Sequence, residues 1–202
     1  MTYWPKKETE DALVFIHIPK TAGLSVQNWM RGRYGKVHKA MHADVLHPIV
    51  NQKIQKLESF CVVRNPYDLV YSWYKYKLKM LMEVRHRDEV ELKTWYEGFE
   101  PWLLRYFNKY NYSNDKSTGG TNAISPSKTI FDYIMINNQI KVDHCIRFEN
   151  LAEEMKKLGG PKIEHKNKSR SLNNYRNAYT PACKDLVEKA YSRELEYFGY
   201  SF

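Results

Sequence analysis

Two short apolar runs, each followed at once by a loop and a helical pattern, stand out in the distribution of hydrophobic residues along the chain. The first run covers residues 13–18 and the second covers residues 60–63. Near-continuous apolar strands are typical of a parallel sheet that is buried on both faces by crossover helices. The two strand-loop-helix units therefore predict an α/β fold in which helices flank a central, mainly parallel sheet.

The pattern of hydrophobic and polar residues is weaker in the middle of the chain. Residues 88–110 predict a helix that is broken at residues 98–101, and residues 113–128 form a polar loop without periodicity. Loops of that length in compact domains are often functional. Residues 131–136 and 139–149 are β-like runs around an Asn-Asn turn signal, so they predict a β-hairpin.

The last third of the chain predicts two helices around a basic segment. Asn150 with Glu153 three residues later resembles a capping box that opens the first helix. Residues 162–180 are basic and short of aliphatic side chains, so we expect none of them in the core. Thr180 as cap and Pro181 at the first helical position then begin a C-terminal helix with one apolar face.

Length and composition indicate one folded domain over residues 1–202. Hydrophobic residues make up 43% and charged residues 27% of the chain, which excludes collagen-like, coiled-coil and wholly disordered proteins. No stretch has the roughly 18 to 20 consecutive apolar residues of a spanning helix, and the first residues lack the apolar core of a signal peptide. We therefore expect a soluble cytoplasmic protein without a membrane span.

The net charge and the cysteines indicate the kind of partner and the redox compartment. Lys and Arg number 32 against 23 Asp and Glu, and the net charge of +9 predicts an anionic partner without saying which one. Cys61, Cys145 and Cys183 are far apart, and no CxxC pair is present. Three such cysteines are typical of reduced core thiols in a cytosolic protein.

The turn after the first apolar run has the character of an anion-binding loop. It reads His-Ile-Pro-Lys-Thr-Ala-Gly over residues 17–23, so backbone N–H groups and Lys20 meet at a helix N-terminus. A Walker A loop is excluded, because Lys20 precedes the small residues instead of following them. The structural alternative is an ordinary βα turn with a surface lysine.

The turn after the second apolar run adds a fixed cation. Arg64 follows the strand, and Ser72 comes eight residues later on the next helix, so the two side chains can grip one phosphate. A salt bridge from Arg64 to Asp68 is the structural alternative. Ligands of open α/β sheets bind at the carboxyl ends of the strands, where both turns must lie, so the two turns together are more specific than either alone.

These turns resemble those of a known family, the sulfotransferases that use 3'-phosphoadenosine 5'-phosphosulfate (PAPS), in particular the carbohydrate branch of the heparan sulfate 2-O-sulfotransferase and chondroitin 4-O-sulfotransferase type. FIHIPKTAGLS is similar to the family's 5'-phosphosulfate loop, and VVRNPYDLVYSWY is similar to its 3'-phosphate site. VDHCIRFENL and the C-terminal YTPACKDLVEKAYSRELEYFGYSF resemble two further blocks. The resemblance implies a P-loop-NTPase-like three-layer fold and a single sulfotransferase domain.

The resemblance also implies roles for individual residues. Lys20 would contact the sulfate-bearing bridge of the donor, and Arg64 with Ser72 would hold its 3'-phosphate. Further donors to the 5'-phosphosulfate would come from Thr21, Ala22, Gly23 and Ser25. A looser match assigns Lys168, Ser169 and Arg170 to the late segment that closes over the nucleotide.

The reaction implied is in-line transfer of a sulfuryl group to a hydroxyl, with adenosine 3',5'-bisphosphate (PAP) as the product. A general base must take the acceptor's proton, and histidine suits this role near neutral pH. Resemblance to a His-Gly-His-Val stretch of the heparan 2-O-sulfotransferases favours His42, with Asp44 and His38 as alternatives and His47 as a further candidate. His38 and His42 are spaced as in some zinc sites, but no HExxH accompanies them, so we predict no metal.

Two other classes of function are open to the same residues. A P-loop-like small-molecule kinase shares the phosphate-binding turns but needs a Walker lysine, and a basic RNA-binding domain suits the charge but lacks an RNP, KH or zinc-knuckle pattern. We predict a carbohydrate or other hydroxyl-bearing acceptor, anionic if the net charge serves its binding, and no nucleic acid partner. The acceptor's identity and the oligomeric state stay open. The intact Met1 favours a prokaryotic or viral member, and the Golgi lumen is the alternative if an N-terminal anchor was trimmed.

Overall fold

The computed structural model of the protein describes residues 2–40, 43–83, 97–109, 128–159, 161–163 and 175–202. The chain falls into two units, one of Met1–Arg64 with Ile130–Ser169 and the other of Asn65–Thr129 with Arg170–Phe202. The single domain over residues 1–202 stays a prediction.

Strands are concentrated in the first unit. Within the described ranges they are β1 (Thr2–Pro5), β2 (Leu13–Ile16), β3 (Val37–Ala40), β4 (Glu58–Val63), β5 (Met135–Ile136), β6 (Gln139–Ile140) and β7 (His144–Arg147). The main sheet has the order β3-β1-β2-β4-β7, in which β2, β4 and β7 pair in parallel. Because β1 is antiparallel to both β2 and β3, the strand β3 also runs in the direction of β2. Only β1 opposes the others, so the predicted mainly parallel sheet is confirmed.

The helices follow the strands as predicted. In the part of the chain that the structure describes they are α1 (Gly23–Tyr34), α2 (Pro48–Ile54), α3 (Pro66–Glu83), α4 (Phe99–Lys109), α5 (Phe131–Ile134), α6 (Leu151–Lys157), α7 (Pro181–Ala190) and α8 (Ser192–Phe198). Both predicted strand-loop-helix units are present, since β2 leads into α1 and β4 leads into α3. The α/β class is therefore confirmed.

The core of the first unit lies where α1 and α6 cover one face of the sheet. Phe15 of β2 and Phe60 of β4 stack with their ring centroids 5.0 Å apart, and Trp29 of α1 meets Phe60 edge-on at 6.1 Å. The buried residues of this core are Tyr3, Leu13, Phe15, Val26, Trp29, Met30, Phe60, Val62, Ile146, Leu151, Met155 and Ile163. Each large apolar side chain buried in this way contributes about 1.5 to 3 kcal/mol, so the core holds α1 firmly against the sheet.

A closed set of hydrogen bonds fixes the register between β4 and β7. The Asp143 carboxylate accepts from the Ser59 backbone N–H at 2.8 Å and from its hydroxyl at 2.6 Å, while the Asp143 N–H donates to the Ser59 hydroxyl oxygen at 3.2 Å. In this register Val63 pairs with Arg147. The residues that follow the two strands therefore leave the sheet at the same level.

Cys61 of β4 and Cys145 of β7 are direct neighbours in this register, with their Sγ atoms 3.6 Å apart. All three cysteines are free, and Cys61 and Cys183 are buried as predicted, whereas Cys145 is half-buried. The hydrogen bond from Cys61 to Cys145, together with burial, raises the pKa of the Cys61 thiol, and the same bond lowers the pKa of Cys145.

The predicted hairpin is confirmed only at its centre. Met135 pairs with Ile140, and Asn137 and Asn138 have φ angles of 50° and 61°, as a tight hairpin turn requires. Residues 131–134, however, form the helical turn α5, because burial of its apolar side chains outweighs their strand propensity. The second β-like run is interrupted as well, and its later part becomes β7 of the main sheet.

Two further expectations about the last third of the chain need correction. The helix predicted to open at Asn150 is present as α6, but Asn150 makes no capping hydrogen bond, because it ends a 3-10 turn over Phe148–Asn150 and lacks the extended backbone of an N-cap. Residues 162–180 are not free of core side chains, since Ile163 is 6% exposed and Tyr175 is 5% exposed.

Aromatic residues and a capped helix organise the second unit. Phe202, at the C-terminus, meets Tyr67 of α3 edge-on at 5.0 Å and contacts Tyr179 at 5.4 Å. Thr180 caps α7 as predicted, because its hydroxyl oxygen accepts from the Cys183 N–H at 3.3 Å. The predicted single C-terminal helix is interrupted at the buried Tyr191, where α7 ends and α8 follows.

Within the described ranges, no helix combines the length and the apolar character needed to cross a membrane.

The break predicted at residues 98–101 agrees with α4, which begins at Phe99 after Gly98 with a φ of 117°. The earlier part of that predicted helix and nearly all of the polar loop at 113–128 lie outside the described residues.

Thr180 also links two helices of the second unit, because its hydroxyl donates to the Glu100 carboxylate of α4 at 2.7 Å. We expect Thr180→Ala to lower the free energy of unfolding by about 1 to 2 kcal/mol, since a capping side chain and a charge-assisted hydrogen bond are lost together. Urea denaturation measures this change. Thr180→Ser keeps the hydroxyl, so its free energy of unfolding should stay near that of the parent. An unchanged denaturation midpoint in Thr180→Ala would contradict the linking role.

Candidate functional site

The loop between β2 and α1, residues 17–22, is folded tightly by its own hydrogen bonds. The Thr21 hydroxyl donates to the Ile18 carbonyl at 2.7 Å and is completely buried. Lys20 and Ala22 have φ angles of 68° and 63°, in the left-handed region that non-glycine residues seldom enter. Each such residue costs about 1 to 2 kcal/mol, so the conformation needs support from its surroundings. We call this segment the β2–α1 loop.

The N-terminus of α1 is arranged to receive a negative charge. Ala22 occupies the cap position and offers no side-chain hydrogen bond, and the first turn contains no acidic residue. The first N–H groups of a helix have no partner within the helix, and they lie at the positive end of its dipole. Phosphate and sulfate groups bind at such ends. The predicted residues Gly23 and Ser25 both lie in this first turn and are buried.

His17 packs directly against the start of α1. Its ring lies 5.5 Å from the ring of Phe15 and 6.2 Å from the ring of Tyr3. A Cβ atom placed on Gly23 would lie only 1.8 Å from His17 Nε2. Glycine is therefore required at position 23 by the imidazole behind it, and the imidazole sets how closely the helix approaches β2.

Arg64 supports the β2–α1 loop from the neighbouring strand. Its Nη1 donates to the Lys20 carbonyl at 2.8 Å, and its guanidinium lies over the Phe148 ring, with Cζ 4.2 Å from the ring centroid. The side chain is only 5% exposed. A hydrogen bond from a charged donor contributes about 1.5 to 3 kcal/mol, which is enough to offset the left-handed backbone of Lys20.

The carboxyl ends of the parallel-running strands lie at one edge of the sheet. Thr2 of β1 pairs with Ile16, at the end of β2, and with Ala40, at the end of β3. Strands in a sheet are about 4.8 Å apart, so Ala40 and Ile16 are roughly 10 Å apart across β1. On the other side, Val63 and Arg147 end β4 and β7. Four chain segments thus leave the sheet where the β2–α1 loop begins.

The candidate bases occupy different places. His38 is exposed on β3, where its ring stacks on Trp4 at a centroid distance of 5.6 Å. The Asp44 carboxylate accepts a hydrogen bond at 2.9 Å from the backbone N–H two residues later, so it closes a turn. His47 stands at the cap position of α2 without a capping hydrogen bond. His42 lies outside the described residues.

The structure brings Lys20, Thr21, Ala22, Gly23 and Ser25 together with Arg64 in the first unit. Ser72 lies half-buried on α3 of the second unit. Its binding of a phosphate together with Arg64 stays a prediction. Lys168, Ser169 and Arg170 lie outside the described residues. Phe148 was not among the predicted site residues, since it lies inside the predicted β-like run of residues 139–149 and carries no separate signal there.

Among the described residues, no group of three or more His, Cys, Asp or Glu side chains is placed to hold a metal ion.

Together these features define the class of the protein: an α/β protein in which the turns after β2 and β4 meet at the carboxyl edge of a mainly parallel sheet. A model of the sulfotransferase family matches residues 7–201, and the chain belongs to this family. No curated protein and no solved structure was found to match the chain. The predicted sulfotransferase family and its P-loop-NTPase-like α/β fold are confirmed, and membership implies sulfuryl transfer to a hydroxyl-bearing acceptor.

The contact between His17 and Gly23 is directly testable. We expect Gly23→Ala to lower the free energy of unfolding by about 1 to 3 kcal/mol, because the added methyl group overlaps the imidazole. Adding His17→Ala to Gly23→Ala should recover part of the loss. Thermal or urea denaturation measures both.

Gly32→Ala, in the same helix, is the matched control. Its added Cβ would lie 3.2 Å from the Pro161 Cγ, so only a small adjustment is needed. Equal destabilisation by the two glycine substitutions, or no recovery in the double variant, would show that the overlap with His17 does not govern position 23.

Proposed function

We propose that the protein transfers a sulfuryl group from PAPS to a hydroxyl of a carbohydrate-type acceptor. The observation that carries the proposal is the joining of the β2–α1 loop to Arg64 at the carboxyl edge of the parallel strands, within a chain of the sulfotransferase family. The kinase and RNA-binding alternatives have no comparable support, because neither accounts for the family match.

The residues present fit the donor at its phosphosulfate end. The first turn of α1 offers backbone N–H groups without a competing side-chain cap or carboxylate, and such groups bind anions. Lys20 precedes this turn on a loop whose backbone is held by Thr21 and Arg64. PAPS brings an activated sulfuryl group bonded to its 5'-phosphate. The chain then has to bind that end, orient it and offset the charge that develops on the leaving phosphate.

Each proposed residue has one task in the transfer. Lys20 neutralises charge on the bridging oxygen as the sulfur–oxygen bond to the phosphate breaks, while Thr21, Ala22, Gly23 and Ser25 donate N–H or O–H groups to the 5'-phosphosulfate. Arg64 and Ser72 hold the 3'-phosphate, and Lys168, Ser169 and Arg170 close over the nucleotide. The new bond joins sulfur to the acceptor oxygen, the acceptor proton goes to the base, and PAP leaves.

His42 is the proposed base, and the described residues on either side of it support this role. Ala40 pairs with Thr2, and the Ala43 carbonyl accepts a hydrogen bond from the Thr2 hydroxyl at 2.8 Å. Thr2 also pairs with Ile16, the last residue of β2. Ala40 and Ala43, the described residues before and after positions 41–42, therefore both lie next to Thr2, at the edge where the β2–α1 loop begins. Asp44 is the weaker candidate because its carboxylate already closes a turn.

The donor can be tested by ligand-dependent stability. We expect PAP to raise the thermal midpoint, because a ligand at about a hundred times its dissociation constant stabilises a fold by roughly 2.7 kcal/mol. ATP with magnesium and a short RNA should shift it much less. Transfer from a sulfur-labelled donor to a panel of glycans then tests the acceptor class. A midpoint that responds to ATP or RNA but not to PAP would overturn the proposed function.

The base can be tested by substitution and pH. We expect His42→Ala to lower turnover by about 10² to 10⁴ while PAP binding stays near that of the parent. The parent's turnover should rise with pH where imidazoles ordinarily titrate, at about pH 6.5, and the variant should lack this step. The direction follows because only the neutral imidazole accepts a proton.

His38→Ala and Asp44→Asn are the matched controls for this experiment. Both should keep the pH step and most of the turnover. If Asp44→Asn loses turnover while His42→Ala keeps it, the base is Asp44, and the donor site is unaffected.

A further inference from the structure

Arg64 has two attachments in the first unit that a residue serving only a ligand does not need. One is the hydrogen bond from its Nη1 to the Lys20 carbonyl at 2.8 Å, and the other is the stacking of its guanidinium on Phe148 at 4.2 Å. Arg64 itself is buried, with 5% of its surface exposed, while Lys20 and Phe148 are half-buried. Phe148 reaches this place because the Ser59 and Asp143 hydrogen bonds fix the register of β7 beside β4.

The residue that receives the hydrogen bond is the proposed catalytic lysine. Lys20 has a φ of 68°, and the direction of its side chain depends on that backbone conformation. A right-handed or extended backbone at this residue would turn the Lys20 carbonyl away from Arg64 and redirect its side chain. The guanidinium therefore favours one orientation of the lysine.

The chemistry of arginine suits this double attachment. A guanidinium is planar, carries five N–H donors in its plane and stacks its face on an aromatic ring. The Phe148 ring stacks on the face of the Arg64 guanidinium, and Nη1 at the edge of the guanidinium donates to the Lys20 carbonyl. A lysine ammonium keeps the charge but has no plane to stack and no fork of donors.

We propose that Arg64, held by Phe148, is a positioning residue for Lys20, in addition to its place in the proposed donor site. The inference rests on the proposed function for its catalytic consequence. Phe148 orients the guanidinium, the guanidinium fixes the Lys20 carbonyl, and the carbonyl fixes the lysine side chain. Binding at Arg64 and charge neutralisation by Lys20 are thereby coupled through a single hydrogen bond.

Phe148→Leu is the variant that separates positioning from ligand binding, because it keeps Arg64 and Lys20 and removes only the ring. At saturating donor we expect turnover to fall about 10-fold to 100-fold, the effect of a misplaced catalytic group. In a Lys20→Ala background the same substitution should have almost no further effect, since the two changes act on one interaction. Phe148→Tyr keeps the ring and should restore turnover.

Amide hydrogen exchange gives a readout that does not depend on activity. In Phe148→Leu and in Arg64→Lys, the amides of Ile18 and of residues 20–23 should exchange several-fold faster than in the parent, whereas those of β4 should not change. Arg33→Lys is the matched control, because Arg33 also stacks on an aromatic ring, Tyr34 at 5.0 Å, and also donates to a backbone carbonyl, that of Leu158. Its substitution should leave exchange in residues 18–23 and turnover unchanged.

The outcomes separate this inference from the proposed function. If the parent transfers sulfuryl groups but Phe148→Leu lowers turnover equally with and without Lys20, or leaves exchange of the loop unchanged, positioning by Arg64 is wrong and the proposed function stands. If the parent transfers none while exchange accelerates as expected, the proposed function fails and the structural attachment of Lys20 to Arg64 stands. Should Phe148→Leu not fold, Arg64→Lys supplies the exchange measurement and the double substitution with Lys20→Ala.

Discussion

The hydrogen bond between Arg64 and the Lys20 carbonyl is the interaction on which the candidate site depends. It joins the turn after β2 to the turn after β4, and it supports a backbone conformation that lysine would not adopt unaided. The parallel pairing of β2 with β4 brings the two turns to the same edge, and the stack on Phe148 holds the guanidinium in place. The site thus draws on three consecutive strands of the sheet.

Rigid support of this kind suits the chemistry proposed. Sulfuryl transfer, like phosphoryl transfer, requires little covalent chemistry from the protein. It depends on the orientation of the reactants and on preorganised positive charge. The loop gains that rigidity from the buried Thr21 hydroxyl, from Arg64 and from the close packing of His17 on Gly23. The β4–β7 register set by Ser59 and Asp143 extends the support to Phe148.

The predicted and observed structures agree best where a local pattern determines an element. The apolar runs before the two turns became β2 and β4, and Thr180 with Pro181 began α7 as expected. Agreement failed where burial competes with propensity. Residues 131–134 form a helical turn instead of a strand, and Ile163 enters a core that its basic segment did not suggest. Asn150, for a different reason, makes no capping hydrogen bond, because it is the last residue of a 3-10 turn.

By itself the sequence determined the α/β class, the two strand-to-helix turns and the sulfotransferase family, because short apolar runs and turn residues act over a few positions. It determined the identity of Lys20 and Arg64 as candidates but not their contact, since a bond between residues 44 positions apart depends on which strands pair. The part played by Phe148 was decided by tertiary structure alone. An aromatic ring after a strand acquires a function only when the register of that strand places a guanidinium over it.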